Sequence, residues 1–309
     1  MPARKKNPQA SAGRARLDVL AAGDDEAKFL EVAFEMISSR QRLDREAALE
    51  ALVRRPLPAA REPLRALYLE LDADGPKRDQ GCDMRANIIG ILAEIGGPDD
   101  VPIAVRAAET SEKVFGDDVA YGLRMRGLQA IARLAPEVFP FYAVEHLDDA
   151  TQHDDEPAAT AIRLLAATGN YAALYQWLRG PGMESPNLVR AFDAFSDAPP
   201  EIVRRFVDGA IDAAMRRQDE TLCTVMAEAI VNLEIEHLYP ALGALMSGRI
   251  SDELYSYLAM LLAGTNRAAL LAILEDQLRR GRRPKLIVAA LTVRPTDEQR
   301  AILERWEAR

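Results

Sequence analysis

The stretch RANIIGILAEIGGPDDVP, residues 85–102, decides the fold. Its aliphatic residues recur at helical spacing and predict a helix with one buried face: Ile88, Ile91, Leu92 and Ile95. The Gly-Gly-Pro sequence at 96–98 predicts the end of this helix, because glycine can adopt a left-handed cap and proline cannot continue a helix. Asp99 or Asp100 then caps a second helix with Pro102 in its first turn. The stretch therefore predicts a helix–turn–helix hairpin.

The same pattern recurs along the chain. An arginine leads the predicted first helix three times, at Arg45, Arg85 and Arg124. Apolar residues at helical spacing mark a first helix in five further places, at residues 158–165, 188–195, 222–229, 254–261 and 286–293. The units follow one another every 30 to 40 residues or so, roughly as in helical repeat arrays. Because one pair cannot bury its own apolar face, the prediction is an all-α chain, an α-α superhelix of about eight helix pairs.

Residues 85–108 resemble the short bacterial HEAT-like repeat, of the kind found in phycobilin lyase subunits. The shared features are an arginine-led apolar helix, a Gly-Pro-Asp-Asp turn and a proline-led second helix. The units at Arg45 and Arg124 resemble it less closely, and the leading arginine is lost after Ala158. The resemblance implies a curved stack of helix pairs whose concave surface binds a partner, although a shared fold says little about function.

Charge is unevenly distributed. Hydrophobic residues make up 49% of the chain, enough for a folded core. The net charge is -9, but residues 1–16 carry five basic side chains and no acid, so the rest is near -14. We predict a basic, disordered tail over residues 1–23 and a single HEAT-like solenoid over 24–309. The acidic body disfavours nucleic acid, which needs a basic stripe, and favours a basic protein partner.

The cysteines and apolar runs predict a location. Cys82 and Cys223 each lie within an apolar helical pattern, which predicts buried free thiols in a reducing compartment. No apolar segment follows the basic tail as in a signal peptide, and no apolar run reaches the roughly 18 to 20 residues that span a bilayer. We expect a cytoplasmic protein with no membrane insertion, whose tail could still contact RNA, DNA or an anionic membrane.

Three polar stretches interrupt the regular spacing, at residues 72–80, 110–118 and 148–156. The second is expected to carry Lys113, Phe115 and Gly116 at the surface. Inserted loops in repeat proteins often gather on the binding face, so these stretches are candidates for partner contact. They could also be tolerated extra length, since lengthening a surface loop costs little.

An acidic segment is one candidate for partner binding: Asp148, Asp149, His153, Asp154, Asp155 and Glu156. Carboxylates together with histidine could hold a cation, but their spacing fits no calcium loop. Residues 154–157 also resemble the start of the next helix, where acidic side chains interact favourably with the helix dipole. We favour the capping interpretation and expect no metal and no cofactor here.

A basic segment is the other candidate: Arg279, Arg280, Arg282 and Arg283, with Lys285, around Gly281. Such a cluster could bind phosphate. The favoured interpretation is structural, with the first two arginines at the C-terminus of a helix and Gly281 as its cap.

No catalytic motif stands out in the sequence. The three histidines form no HExxH motif, and neither a glycine-rich phosphate loop nor a nucleophile elbow is present. The preferred hypothesis is a protein-interaction scaffold rather than an enzyme. The alternatives are a HEAT-like lyase or chaperone-type enzyme subunit, and a DNA glycosylase-like nucleic-acid binder, which would require a basic concave groove.

Overall fold

A computed structural model describes residues 8–149 and 155–308 of the chain. The regular secondary structure of the described residues is almost entirely helical, with a single short pair of strands, so the prediction of an all-α protein is confirmed. The chain divides into two compact units, the first ending at Ala173 and the second beginning at Leu174. Within the described ranges, none of the helices combines the length and the apolar character needed to cross a bilayer.

The first unit contains helices of 4 to 14 residues. They are α1 (Pro8–Ala21), α2 (Glu26–Ile37), α3 (Arg42–Arg54), α4 (Arg61–Asp72), α5 (Gly75–Arg78), α6 (Asp83–Ile95), α7 (Val101–Ala108), α8 (Tyr121–Leu134), α9 (Phe139–Glu145) and α10 (Ala158–Ala167). Between α7 and α8, strands β1 (Lys113–Val114) and β2 (Asp117–Asp118) pair antiparallel as a hairpin. Helix α11 (Tyr171–Leu178) follows and includes the boundary between the units.

The second unit continues with α12 (Leu188–Phe195), α13 (Pro200–Arg217), α14 (Glu220–Asn232), α15 (Tyr239–Ser247), α16 (Asp252–Gly264), α17 (Ala268–Arg279), α18 (Pro284–Thr292) and α19 (Asp297–Glu307). Helices α12, α14, α16 and α18 begin at positions 188, 220, 252 and 284, so the interval between successive starts is constant. Each of these four packs against the next one, so neighbouring helix pairs share buried apolar surface.

The first unit repeats less regularly. Its helices α3, α6, α8 and α10 begin at positions 42, 83, 121 and 158, and each packs against the next. These four helices, like the four of the second unit, coincide with the first helices that the apolar pattern predicts. Apolar side chains at helical spacing form the core of each pair, for example Ile88 and Leu92 in α6 and Leu128 and Ile131 in α8.

The turn after α6 differs from the expected left-handed cap. Gly96 has φ of -80° and Gly97 has φ of -149°, so neither adopts a left-handed conformation. Glycine is required at position 96 for space: a Cβ atom there would lie 2.4 Å from the carbonyl oxygen of Leu92 and 2.6 Å from Oδ2 of Asp100. Asp100 is the N-cap residue of α7, but its side chain makes no capping hydrogen bond to that helix; its Oδ2 instead accepts a hydrogen bond from the Gly97 N–H at 2.9 Å.

The segment predicted as a disordered tail contains helix α1. Its Leu17 side chain is buried, and the helix packs against α2 and α3. Asp18 and Arg14 form ion pairs with Arg54 and Glu50 of α3. Leu17 and Leu20 share one helix face, which supplies the apolar contact that a purely polar tail would lack. Residues 1–7, which carry three of the basic side chains, lie outside the described ranges.

Candidate functional site

Three arginines near the start of a first helix make the same backward contact. Each reaches an acceptor six positions earlier: Arg45 Nε donates to the carbonyl oxygen of Ser39 at 2.6 Å, and Arg85 Nε to Asp79 Oδ2 at 3.2 Å. Arg124 Nη1 donates to Asp118 Oδ1 at 3.2 Å. The repeated arginine therefore fixes the chain segment that enters its own helix pair.

The same arginines also make a forward contact, to a carboxylate that follows in the same helix pair. Arg45 pairs with Glu70 at 3.0 Å, Arg85 with Glu112 at 2.7 Å and Arg124 with Asp149 at 3.5 Å. Glu70 lies in the last turn of the second helix of its pair, and Glu112 and Asp149 lie beyond theirs. Each arginine thus links the segment before its helix pair to the segment at the end of that pair. The repeated arginine of the sequence therefore has a structural role.

The Arg85 cluster is the most buried of the three. Arg85 is fully buried and also contacts Asp72 at 3.3 Å. Burial works to lower the pKa of Arg85, but hydrogen bonds to Glu112 and Asp79 and the nearby acidic groups raise it overall, so the guanidinium stays charged. Burial raises the pKa of the neighbouring Cys82 thiol to about 12 against the opposing effect of Arg85. The thiol is therefore protonated at neutral pH, as expected of a structural cysteine.

Residues 72–80, predicted as a polar stretch between units, are partly helical and only partly exposed. They contain the short helix α5, and both Gly75 and Asp79 are buried. A Cβ atom at Gly75 would lie 2.5 Å from Arg85 Nη1 and 2.2 Å from Glu112 Oε1. Asp72 and Asp79 of this stretch face inward and supply acceptors that the buried Arg85 guanidinium requires, whereas Pro76, Lys77 and Arg78 remain exposed.

The second inserted stretch is a hairpin held at both sides of its base. Glu112 precedes β1 and accepts hydrogen bonds from Arg85 Nη1 and Nη2 at 2.7 and 3.0 Å. Asp118, in β2, accepts from Arg124, and the Val119 N–H donates to the Glu112 carbonyl oxygen at 3.0 Å. Burial alone would raise the pKa of Asp118, but hydrogen bonds from Arg124 and the Ala120 N–H lower it overall, so this contact is ionic.

The apex of this hairpin is Phe115 followed by Gly116. The Phe115 side chain is completely exposed, so the predicted surface position is confirmed. Phe115 has φ of +53° and Gly116 has φ of +95°. A positive φ is uncommon for a residue with a bulky side chain. The structure therefore presents an aromatic ring to solvent from a strained position on a fixed base.

The acidic segment is only partly described, because His153 and Asp154 lie outside the described residues. Asp149 Oδ2 is 2.8 Å from His146 Nδ1 and also faces Arg124. Glu156 Oε2 accepts a hydrogen bond from the Thr160 N–H in α10 at 3.0 Å, and Asp155 lies just before it. Asp148 precedes Asp149 at the end of the preceding described stretch. Over the described residues, no three His, Cys, Asp or Glu side chains are grouped to hold a metal ion.

The basic segment is used within the fold. Gly281 has φ of +68° just after α17, which confirms the predicted cap, and Arg280 pairs with Asp276 at 2.8 Å. Arg283 donates to the carbonyl oxygens of Ser251 and Ile250 at 2.8 and 2.6 Å, and its guanidinium lies 4.9 Å from the centre of the Tyr255 ring. Arg282 donates to the Ser247 carbonyl oxygen.

Arg279 is the last residue of α17 and lines a small cavity beside Trp306. Of the four arginines, Arg282 and Arg283 hold the turn before α18 to the end of α15 and to the segment before α16. The local sequence could not show this, because the acceptors of both arginines are distant along the chain.

The sequence analysis did not identify one group of residues, which lines a cavity. In the second unit, a cavity of about 370 Å³ opens between the end of α11 and helix α13, lined by Tyr175, Arg179, Arg205, Phe206, Gly209 and Arg217. The only signal in the sequence is the helical spacing of Arg205, Gly209 and Arg217, which does not reveal what faces them. Comparison of the chain with known protein families and with curated proteins finds no match.

Proposed function

We propose that this chain is a protein-interaction scaffold of HEAT-like helix pairs, and that the hairpin of residues 112–119 is a docking element. One observation carries the proposal: Phe115 is fully exposed at the apex of a hairpin whose base is held by two buried arginines. Aromatic residues are enriched among the side chains that contribute most to protein interfaces.

Two features of Phe115 raise the free energy of the unbound chain. Its ring is in water, where burial would stabilise it by roughly 1.5 to 3 kcal/mol. Its backbone lies at φ of +53°, which a bulky residue seldom adopts. Glycine or asparagine would fit this turn without either feature. A partner with an apolar pocket would remove the free-energy cost of exposing the ring to water. This accounts for an aromatic residue at the position.

The fixed base makes the hairpin suitable for recognition. Glu112 and Asp118 are held by Arg85 and Arg124, and both arginines are buried. An element that already has its bound conformation loses little entropy when it binds. A docking residue presented in this way gains more net affinity than the same residue on a flexible loop.

Charge indicates the chemistry of the partner. The first unit, up to residue 173, holds 22 basic and 29 acidic residues, a net charge of -7. The exposed Asp117 lies directly after the apex. We therefore propose a protein partner with an apolar pocket surrounded by basic side chains, since complementary charge accelerates association and disfavours acidic competitors.

The superhelical arrangement is part of the proposal. It is supported by the regular start positions of the first helices, by the packing of each on the next, and by the repeated arginine contacts. Helix pairs that share a core with both neighbours are typical of solenoids. In such a stack the second helices would form the concave face, and α9 exposes Phe141 and Val144 as further apolar contact residues.

The test compares Phe115→Ala with a matched control, Val293→Ala, which truncates another exposed apolar side chain in the second unit. The immobilised full-length chain is exposed to native lysate at about 0.05 M and about 0.5 M salt, and retained proteins are quantified by mass spectrometry. We expect Phe115→Ala to reduce the retained partner at least about tenfold, and Val293→Ala to retain it.

Thermal unfolding of both variants must match that of the original chain, since neither side chain contributes to the core. Equal retention by the chain and Phe115→Ala would refute the docking role of the hairpin. Retention that is insensitive to salt would refute the basic partner, because surface charge complementarity weakens as ionic strength rises.

A further inference from the structure

One face of helix α9 is buried and the opposite face is open. Phe139 and Ala143 are fully buried where α9 packs against α8 and α10. On the other face, the Phe141 side chain is 75% exposed and the Val144 side chain is 39% exposed. Helical residues three positions apart are neighbours on the helix surface, so these two side chains form one apolar patch. The described parts of the chain leave this patch in water.

Acidic side chains lie at both ends of the patch. Residues 136–149 contain four acidic residues and neither lysine nor arginine. Glu137 comes four positions before Phe141 and Glu145 comes four positions after it, so all three lie on the same side of the helix. Both glutamates are exposed, and within the described ranges neither makes an ion pair. Their charges are therefore available to a partner.

The other charged groups at the end of α9 are used within the fold. Asp149 Oδ2 lies 2.8 Å from His146 Nδ1 and 3.5 Å from Arg124 Nε. Arg124 also donates to Asp118 at the base of the hairpin. This arginine is committed to Asp118 and Asp149, so it does not neutralise the glutamates of the exposed face.

The spacing along this face indicates the form of the partner. The helical turns continue on both sides of α9, since the N–H groups of Val138 and Leu147 donate to carbonyl oxygens three positions earlier, at 3.1 and 3.3 Å. At the helical rise of about 1.5 Å per residue, Glu137 and Glu145 are about 12 Å apart along the axis. A partner helix with basic side chains two turns apart, and apolar side chains between them, matches this spacing.

We propose that the exposed face of α9 binds a basic amphipathic helix of a protein partner. Apolar side chains of that helix cover Phe141 and Val144, and its lysine or arginine side chains pair with Glu137 and Glu145. Amphipathic helices are commonly recognised through apolar anchors at such helical spacing. The inference rests on the proposed scaffold function and names the kind of segment that the partner presents.

The charge of this face disfavours other occupants. Nucleic acid and anionic membranes carry negative charge, so Glu137 and Glu145 repel them. A symmetric dimer through this face would bring the glutamates of two copies together, because both copies use the same surface. A basic helix is the occupant that satisfies both the apolar and the acidic side chains.

Fluorescence anisotropy with the full-length chain and labelled synthetic peptides of about 18 residues tests the proposal. The probe is a lysine–leucine peptide whose leucines recur at helical spacing along one face. Its control has the same composition in an order that spreads the leucines around the helix. At about 0.05 M salt we expect the amphipathic peptide to bind at least about fivefold more tightly than the control, and higher salt should weaken its binding.

Variants with matched controls locate the site. Phe141→Ala should weaken binding at least about fivefold, and its control is Leu43→Ala, which truncates a side chain that is 59% exposed in the same unit. The double variant Glu137→Gln/Glu145→Gln should weaken binding by a similar factor and reduce its dependence on salt. Its control, Glu31→Gln/Glu35→Gln, changes two exposed glutamates of α2 and the net charge equally.

Both controls should leave the affinity within about twofold. Thermal unfolding should be unchanged in all four variants, because the substituted side chains are exposed. If Phe141→Ala does not fold, the glutamate double variant still tests the same face.

Equal affinity for the two peptides, or an equal loss in a variant and its control, would overturn the proposal, since binding would then reflect net charge alone. Absence of binding at about 0.1 mM chain would also overturn it. Self-association of the chain that Phe141→Ala abolishes would assign the face to a second copy instead. Phe115→Ala should bind the peptide as the original chain does, so failure of the hairpin as a docking element is distinguishable from failure at α9.

Discussion

At the scale of single residues, a buried carboxylate in the first unit holds one helix pair to the next. Asp100 is an example: its carboxylate is buried and contacts Arg61 and Arg65, each at 2.7 Å, from the preceding pair. The same carboxylate accepts the Gly97 N–H. One side chain therefore stabilises the turn after α6 and also joins two helix pairs. Removing one partner of such a group leaves buried polar atoms without compensation.

The substitution Asp100→Asn should destabilise the chain by about 2 to 3 kcal/mol, less than a fully buried pair because both arginines are partly exposed. Asp99→Asn is the matched control: its side chain is 86% exposed and lies 3.8 Å from Arg61, so its loss should change stability by no more than about 0.5 kcal/mol. Urea unfolding of the two variants measures the difference. Equal effects would show that Asp100 has no special structural role.

At the scale of elements, a close helix contact in the first unit depends on a missing side chain. Helices α7 and α8 pack closely, and Gly127 lies where α8 meets α7. A Cβ atom at Gly127 would lie 2.4 Å from the backbone nitrogen of Ala108 and 2.8 Å from the carbonyl oxygen of Ala104. Backbone atoms cannot move aside as a flexible side chain can, so this spacing is set by glycine.

Gly127→Ala should therefore lower stability by about 1 to 3 kcal/mol, despite the higher helix propensity of alanine, because the two helices must separate. Gly122→Ala, in the same helix, is the control: a Cβ atom there would meet nothing within 4 Å. We expect this control to be neutral or slightly stabilising. Thermal unfolding distinguishes the two, and a Gly127→Ala variant as stable as Gly122→Ala would contradict the close packing.

At the scale of the whole molecule, the two units share paired helices but differ in regularity and charge. The first helices of the second unit start at a constant interval, whereas the first unit has longer pairs enlarged by α5 and the hairpin. The first unit carries most of the net negative charge.

Both units contain a carboxylate with a lowered pKa. In the first, burial alone would raise the pKa of Asp100, but hydrogen bonds from Gly97 and Arg61 lower it overall; in the second, hydrogen bonds from Ser251 lower the pKa of Glu220.

Acid should therefore destabilise the chain. A carboxyl whose pKa is lower in the folded state stabilises the fold above its unfolded pKa, and this contribution is lost as the pH falls through the folded pKa. For Asp100 the loss begins near its ordinary value of 3.8 and continues below it. We expect the unfolding temperature to fall as the pH drops below about 4, and to fall less steeply in Asp100→Asn. An unfolding temperature that rises on acidification would contradict this.

The amino-acid sequence by itself determined the helices and their pairing along the chain. Apolar spacing such as Ile88, Leu92 and Ile95, and the Gly-Pro boundary at residues 96–98, act between neighbours a few positions apart, so they can be recognised directly. The exposure of Phe115 was also predictable, because it lies in a polar stretch between two apolar patterns. These features depend on local backbone preference and on the alternation of polar and apolar side chains.

Only the tertiary structure decided which polar residues are buried and which face an open surface. The acceptors of Arg85 include Glu112, which lies beyond the next helix α7, and those of Arg283 lie in the segment between α15 and α16. The cavity of the second unit likewise joins Arg179 to Arg205 from separate helices. Such contacts depend on how helices pack, because charges find partners across space rather than along the chain. The spacing of residues along the sequence does not show how far apart two side chains lie in the folded chain.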